Sequence, residues 1–219
     1  MKNGPLDDRI LGVLPFFHVF ANATVLNRTV ENGGEIVMLP RFEAKAALAA
    51  ITRTKVTSLP GVPTMYQALL DCPDLGKTDF TSLRACISGR APLAAELKER
   101  FETLTGAVVI EGYGLTETAA PSHSNPPDDP KQQCLGIPFM SCDARVVDPD
   151  TLRELPVGEA GEIVIHGPMV FDGYWKRPEA TAAAFIDIEG KRFFRSGDLG
   201  RIDEDGYFFI TDRLKRMIN

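Results

Sequence analysis

The stretch "AVVIEGYGLTETAA", Ala107–Ala120, decides the fold. Its opening residues form an unbroken apolar run, the mark of a strand buried on both faces. The chain then shows two glycines around a tyrosine, Gly112, Tyr113 and Gly114, followed by Thr116 and Glu117. Glycine admits a close approach that a Cβ would block, so Gly112 and Gly114 can let a flat ligand lie against the backbone. Tyr113 offers a ring face. Thr116 can donate to a phosphate oxygen, and Glu117 can hold Mg²⁺, a hard cation that prefers oxygen ligands. A glycine turn with a helix cap in "TET" explains the same residues without a ligand, and the stretch by itself leaves both readings open.

Upstream, short apolar runs alternate with helix-like segments. "RILGVLPFF", "EIVMLP", "VTSLPGV" and "LRACISG" read as strands; "FANATVLNRTVENG", "EAKAALAAITRTK", "PTMYQALLDC" and "LAAELKERFETLTG" read as helices. Such alternation predicts an α/β fold, a mostly parallel sheet covered by helices. In sheets of that kind ligands collect at the carboxyl ends of the strands. Here those ends carry "PFFHVF", "PGVPT", "SGRAPL" and "GYGLTET", a grouping that favours one shared site. Downstream, the proline-rich polar stretch "PSHSNPPDDPKQQ" reads as a surface loop. "DARVVDP", "GEIVIHG", "KRFFRSGD" and "LGRIDEDGYFFITDR" then read as short strands, with Asp205-Gly206 marking a hairpin. The expected division is therefore residues 1–135, an α/β subdomain, and residues 136–211, a smaller β-rich subdomain.

The 219 residues carry a net charge of −6, with 44% hydrophobic and 25% charged residues. That is an ordinary globular composition, and the acidic balance argues against nucleic acid as a partner. Four cysteines without a C-x-x-C pair read as reduced thiols of a cytoplasmic protein. No apolar run approaches the roughly 18 residues of a membrane span, although peripheral association and self-association stay open. Both ends are abrupt, which reads as a piece of something longer.

In "FFRSGDLGRIDEDGYFFITDR", Asp198 is placed in a turn between "FF" and the hairpin, and Arg213 just past the hairpin's second strand. A carboxylate can accept both hydroxyls of a ribose, and a guanidinium can bind the same sugar or a phosphate; a surface turn and a solvated arginine are the plainer alternative. His18, among phenylalanines in "PFFHVF", reads by itself as a packed core histidine with a satisfied ring nitrogen, and a polar group facing a ligand is the alternative.

"SGRAPL", "GYGLTETAAP", "GEIVIHGPMVFDGYWKRPEAT" and "RSGDLGRIDEDGYFFITDRLKRMI" together resemble the adenylate-forming enzymes. That superfamily includes acyl-CoA synthetases and nonribosomal adenylation domains, and the resemblance spans essentially the whole chain. "GPMVFDGYWKRPEAT" and "DRLKRMIN" look most like the medium- and long-chain fatty acyl-CoA synthetases. The resemblance implies that ATP, Mg²⁺ and coenzyme A are used with a small carboxylic acid, through an acyl-adenylate and then a thioester. It implies that Gly112, Tyr113 and Gly114 frame adenine, with Gly89, Arg90 and Ala91 forming another wall. Thr116 would contact the α-phosphate, Glu117 would bind Mg²⁺, and Asp198 and Arg213 would hold the ribose side. His18 would line the carboxylate site, with Val62, Pro63 and Thr64 beside the acyl tunnel. It also implies a distorted barrel for the β-rich part, and a hinge over residues 212–219 that includes Lys215. Arg90 stands where relatives carry glycine. The phosphate-cradling loop and the C-terminal domain with its lysine are expected beyond this chain, which predicts little or no turnover by the chain alone. An adenylation domain of a nonribosomal synthetase and a non-catalytic nucleotide-binding fragment are the competing readings. A dinucleotide-binding oxidoreductase is disfavoured, because no G-x-G-x-x-G opens a helix after an early strand.

Overall fold

The computed structural model of the chain describes residues 7–89, 91–119, 121–126 and 128–214. These form two compact units, Met1–Gly112 with Pro127–Gln133, and Tyr113–Pro126 with Cys134–Asn219.

The first unit is built on five strands: β1 (Arg9–Gly12), β2 (Glu35–Met38), β3 (Ser58–Gly61), β4 (Ala85–Ser88) and β5 (Val108–Gly114), in the order β2-β1-β3-β4-β5. The pairings along that order are all parallel. Helices connect them. After β1 the chain coils through α1 (Val19–Ala21), a π-helical stretch over Asn22–Asn27, and α2 (Arg28–Glu31). The plain helix expected over this segment is thus widened in its middle. Thr24 donates to the Phe20 carbonyl at 2.6 Å and Thr29 donates to the Val25 carbonyl, so two hydroxyls compete for the ladder there. The other connections are α3 (Ala44–Thr54), α4 (Pro63–Leu70) and α5 (Ala95–Thr105). In α3, Ala47, Leu48, Ala50 and Ile51 are buried, the spacing of one helical face. In α4, Pro63 sits in the first turn, where no backbone N–H is needed. These faces join Leu11, Leu59, Cys86 and Val109 in one core. Within it the Tyr66 hydroxyl donates to the Leu59 carbonyl at 2.8 Å.

The second unit is antiparallel. β6 (Pro121–Ser124) pairs with β7 (Ile137–Pro138). A curled sheet follows, of β8 (Asp143–Val147), β9 (Gly161–His166), β10 (Phe185–Ile188), β11 (Lys191–Ile202) and β12 (Phe208–Arg213). Its order is β10-β11-β9-β8, with β12 on β11. β9 is buried on both faces: Ile163 and Ile165 pack with Tyr113, Val146 and Phe208, and Val164 packs with Val147 and Phe193. The hairpin expected at Asp205-Gly206 is present; Asp203 closes it by accepting from the Tyr207 N–H at 2.9 Å. A short helix, α6 (Pro178–Ala183), precedes β10.

The surface loop expected at "PSHSNPP" is corrected. Pro121–Ser124 is a strand, and Ser122, His123 and Asn125 are buried. The Ser122 hydroxyl donates to the Tyr113 carbonyl, and the His123 ring packs against Phe208 with centroids 4.7 Å apart.

The β10–β11 turn places Glu189 at φ 55° and Gly190 at φ 76°, a two-residue turn with both positions left-handed. Asparagine tolerates that region better than glutamate. The exposed contact of Glu189 with Arg145 is one of several the arginine makes and contributes little. Glu189→Asn is therefore expected to stabilise the protein by about 0.5–1 kcal/mol, read as a raised urea midpoint at unchanged slope. An unchanged or lowered midpoint would refute it.

Candidate functional site

In the second unit, β5 delivers Tyr113 and Gly114, and the chain then makes one 3-10 turn over Thr116–Thr118. The Thr118 hydroxyl accepts from the Leu115 N–H at 2.9 Å, and Ala119 at φ 52° ends the turn. The helix cap expected in "TET" is thus a single tight turn, which leaves Thr116 exposed and Glu117 half-buried.

Tyr113 is buried, and its hydroxyl donates to Asp198 Oδ2 at 2.7 Å. Burial, and next the Asp198 carboxylate, hold the phenol well above its ordinary pKa, so it remains a donor at neutral pH. The other oxygen, Asp198 Oδ1, meets Arg213 Nε at 2.7 Å. Tyr113, Asp198 and Arg213 therefore form one contiguous polar group.

The positions expected for Asp198 and Arg213 are corrected. Asp198 does not lie in a turn but inside the long strand β11, and Arg213 is the last residue of β12 rather than beyond it. Both strand assignments follow from the cross-strand pairing of these two residues. The β9–β11 register slips between Arg195 and Leu199, a bulge that re-aims the side chain at position 198. Its scaffold escaped the reading of the sequence. Glu162, 2% exposed, accepts from Arg195 Nη2 at 2.6 Å and from the Gly197 N–H at 3.1 Å. The Ser196 hydroxyl donates to the Ile163 carbonyl at 2.6 Å and accepts from the Asp198 N–H at 3.1 Å. The only sequence signal for this scaffold was a glutamate at the start of an otherwise apolar strand.

Glu117 is held from a second direction. Tyr174 donates its hydroxyl to Glu117 Oε1 at 2.8 Å, and the Phe171 N–H donates to the Glu117 carbonyl at 2.8 Å. Among the described residues Oε2 takes no partner. One carboxylate with a spare oxygen fits Mg²⁺, which is commonly held by one or two carboxylates together with substrate phosphates and water.

In the first unit the strand-end loops meet one another. A Cβ on Gly89 would lie 3.1 Å from the Phe20 ring, so any other residue there would push the ring back by a few tenths of an ångström. The Gly89 N–H donates to the Gly61 carbonyl at 3.2 Å, which brings in the "PGV" loop, where Val62 and Pro63 are half-buried and Thr64 is exposed. Glu111, just before Gly112, accepts from the Leu93 N–H at 3.1 Å. Burial raises the pKa of this carboxyl. His18 is half-buried beside Leu14, Pro15 and Phe20. Its Nδ1 accepts from the Phe20 N–H at 3.2 Å, so the neutral ring carries its proton on Nε2. Ala91 is exposed. Arg90 and Lys215 lie outside the described residues.

A family described as AMP-binding enzyme matches residues 1–175. The chain belongs to this family. That places it among the adenylate-forming enzymes to which its motifs point. The chain is 40% identical over 212 residues to a long-chain-fatty-acid–CoA ligase of Bacillus subtilis, covering 96% of this chain and 37% of that one. It is also 40% identical over 215 residues to a feruloyl-CoA synthase of a Streptomyces species, covering 97% of this chain and 42% of the relative. The ATP-bound crystal structure of MatB from Rhodopseudomonas palustris superposes with a TM-score of 0.87 at 41% identity, covering 98% of this chain and 41% of that one. The chain thus spans about two-fifths of the length of the relatives it matches. Among its described residues no helix is long and apolar enough to cross a membrane, and none of its four cysteines is in a disulfide.

Proposed function

We propose that this chain carries the nucleotide- and acyl-binding part of an AMP-forming acid–thiol ligase, an acyl-CoA synthetase. The observation that carries the reading is the Tyr113–Asp198–Arg213 group beside a turn presenting Thr116 and Glu117. In this reading Tyr113 keeps Asp198 Oδ2, the half-exposed Arg213 moves off Oδ1, and the ribose hydroxyls take its place. Arg213 is then free to pair with a phosphate oxygen. Thr116 donates to the α-phosphate, and Gly112 and Gly114 let adenine lie against the backbone beside the Tyr113 ring. In the first unit, Gly89 and Ala91 are read as nucleotide- and acyl-binding residues and His18 as a residue facing the acid's carboxylate.

A carboxylate oxygen of the acid attacks the α-phosphorus in line; the P–O bond to pyrophosphate breaks and an acyl-adenylate forms. The thiol of coenzyme A then attacks the acyl carbon, and AMP leaves. Mg²⁺ at Glu117 would neutralise charge on the phosphate oxygens. The chain's own residues supply positioning and aimed donors, which for phosphoryl-type chemistry is most of the catalysis.

The acid is read as a medium- or long-chain fatty acid, and the setting as cytoplasmic. Relatives named for feruloyl and coumaroyl acids, at similar identity, make an aromatic acid the second reading. Calorimetric titration with non-hydrolysable acyl-adenylates separates the two. The fatty-acid reading expects affinity to rise through the C8–C16 series, by up to about 0.8 kcal/mol per buried methylene. Tighter binding of a cinnamoyl-adenylate than of any of these would favour the aromatic acid. Binding of neither would overturn the ligase reading for this chain.

A further inference from the structure

Tyr174 is placed on Glu117 by the turn that carries it. The two residues are 57 positions apart, yet the hydroxyl donates to Glu117 Oε1 at 2.8 Å, and the same turn anchors the Glu117 carbonyl through the Phe171 N–H. The turn is rigid. The Tyr174 N–H donates to the Thr181 hydroxyl at 2.9 Å, and that hydroxyl donates to the Arg177 carbonyl at 2.9 Å. Thr181 packs so close to Gly173 that a Cβ there would lie 2.4 Å from its methyl group. Phe171 fixes the other side, with its ring 4.8 Å from Tyr174, 5.5 Å from Phe185 and 5.6 Å from Phe194. Despite this support the Tyr174 side chain is not buried: the residue is 39% exposed. Its ring adds little to a core, and what the scaffold secures is the position of its hydroxyl.

We propose that Tyr174 is a positioning residue for Glu117, fixing the carboxylate's rotamer through Oε1 and leaving Oε2 to a divalent cation on the nucleotide. The proposal rests on the reading of Glu117 as the Mg²⁺ ligand. Groups that hydrogen-bond a metal-ligating carboxylate orient it and tune its affinity, and their loss typically costs 10- to 100-fold in metal binding. A phenol donor suits the task, because it occupies one oxygen without adding a charge that would repel the cation.

The chain supplies its own reporter, since its single tryptophan, Trp175, adjoins Tyr174 and is 86% exposed. Trp175 fluorescence is followed while MgCl₂ is titrated at fixed ATP, for the unaltered chain, Tyr174→Phe and Glu117→Gln. Calorimetry with ATP in EDTA runs alongside. Tyr174→Phe keeps the ring packing, and matching thermal melts check its fold. The expected result is a half-saturating Mg²⁺ concentration raised about 10-fold in Tyr174→Phe, with metal-free ATP affinity unchanged, and no Mg²⁺ dependence in Glu117→Gln. An unshifted curve for Tyr174→Phe beside a shifted one for Glu117→Gln overturns the positioning role alone. An unshifted curve for Glu117→Gln, or no Mg²⁺ dependence in the unaltered chain, overturns the metal reading and the proposal with it.

Discussion

Replacing Asp198 by alanine is expected to weaken binding of ATP or an acyl-adenylate by about 100-fold or more. A ribose diol gives the carboxylate two charge-assisted hydrogen bonds, each contributing about 1.5–3 kcal/mol, and about 2.7 kcal/mol already corresponds to 100-fold. The same substitution strips a buried acceptor from the Tyr113 hydroxyl and a partner from Arg213, so it also lowers stability. Asp198→Asn separates the two effects. The amide oxygen can still accept from Tyr113 in the same shape, while the amide nitrogen presents a donor where a carboxylate oxygen stood. The Asp198→Asn chain should therefore keep most of the melting temperature and still lose most of the affinity. Wild-type affinity in a well-folded Asp198→Asn chain would remove Asp198 from the binding site.

The second large effect concerns acid. His123 is fully buried against the Tyr113 and Phe208 rings, and its Nε2 finds no hydrogen-bond partner among the described residues. Burial pushes its pKa down to about 4, against about 6.5 for an exposed histidine. The unfolded chain thus takes up this proton before the folded one does. The stability contributed by the neutral ring is complete above about pH 6.5, declines as pH falls, and is gone below about pH 4. The span corresponds to about 3 kcal/mol by linkage. Other carboxyls titrate in the same window, so the comparison that reads His123 alone is with His123→Leu, a side chain of similar size that cannot titrate. The difference in unfolding free energy between the two chains should change by about 3 kcal/mol from about pH 7 to about pH 4. Parallel pH profiles would show that the ring charges in place without cost.

Strands β1, β3 and β4 of the parallel sheet were legible because most of their residues are buried, so each reads as an apolar block; β2, at the sheet edge, reads as one too although Met38 is exposed. The Asp205-Gly206 hairpin was legible because its chemistry is local. What escaped depends on partners far apart in sequence. Ser122 and His123 look like loop residues until the Tyr113 carbonyl and the Phe208 ring stand over them. Glu162 looks like an exposed strand glutamate until Arg195 and the Gly197 N–H close on it. Tyr174 looks like a turn aromatic until its hydroxyl meets Glu117. Asp198 and Arg213 were singled out for their chemistry, but the register that pairs them, and the bulge that aims the aspartate, came only with the structure.

The parallel sheet also carries a consequence for the order of events during synthesis. Arg9 must wait for Glu35, and Ile10 for Ser58, before β1 can pair on either side. In β10 and β11, by contrast, Ile188 finds Lys191 across a two-residue turn. Loop-closure entropy makes the first kind of pairing slow and the second fast. Until β2 and β3 have been made, β1 lacks both of the neighbours it pairs with, so the "ILG" strand is open to mispairing and to capture by chaperones during that interval.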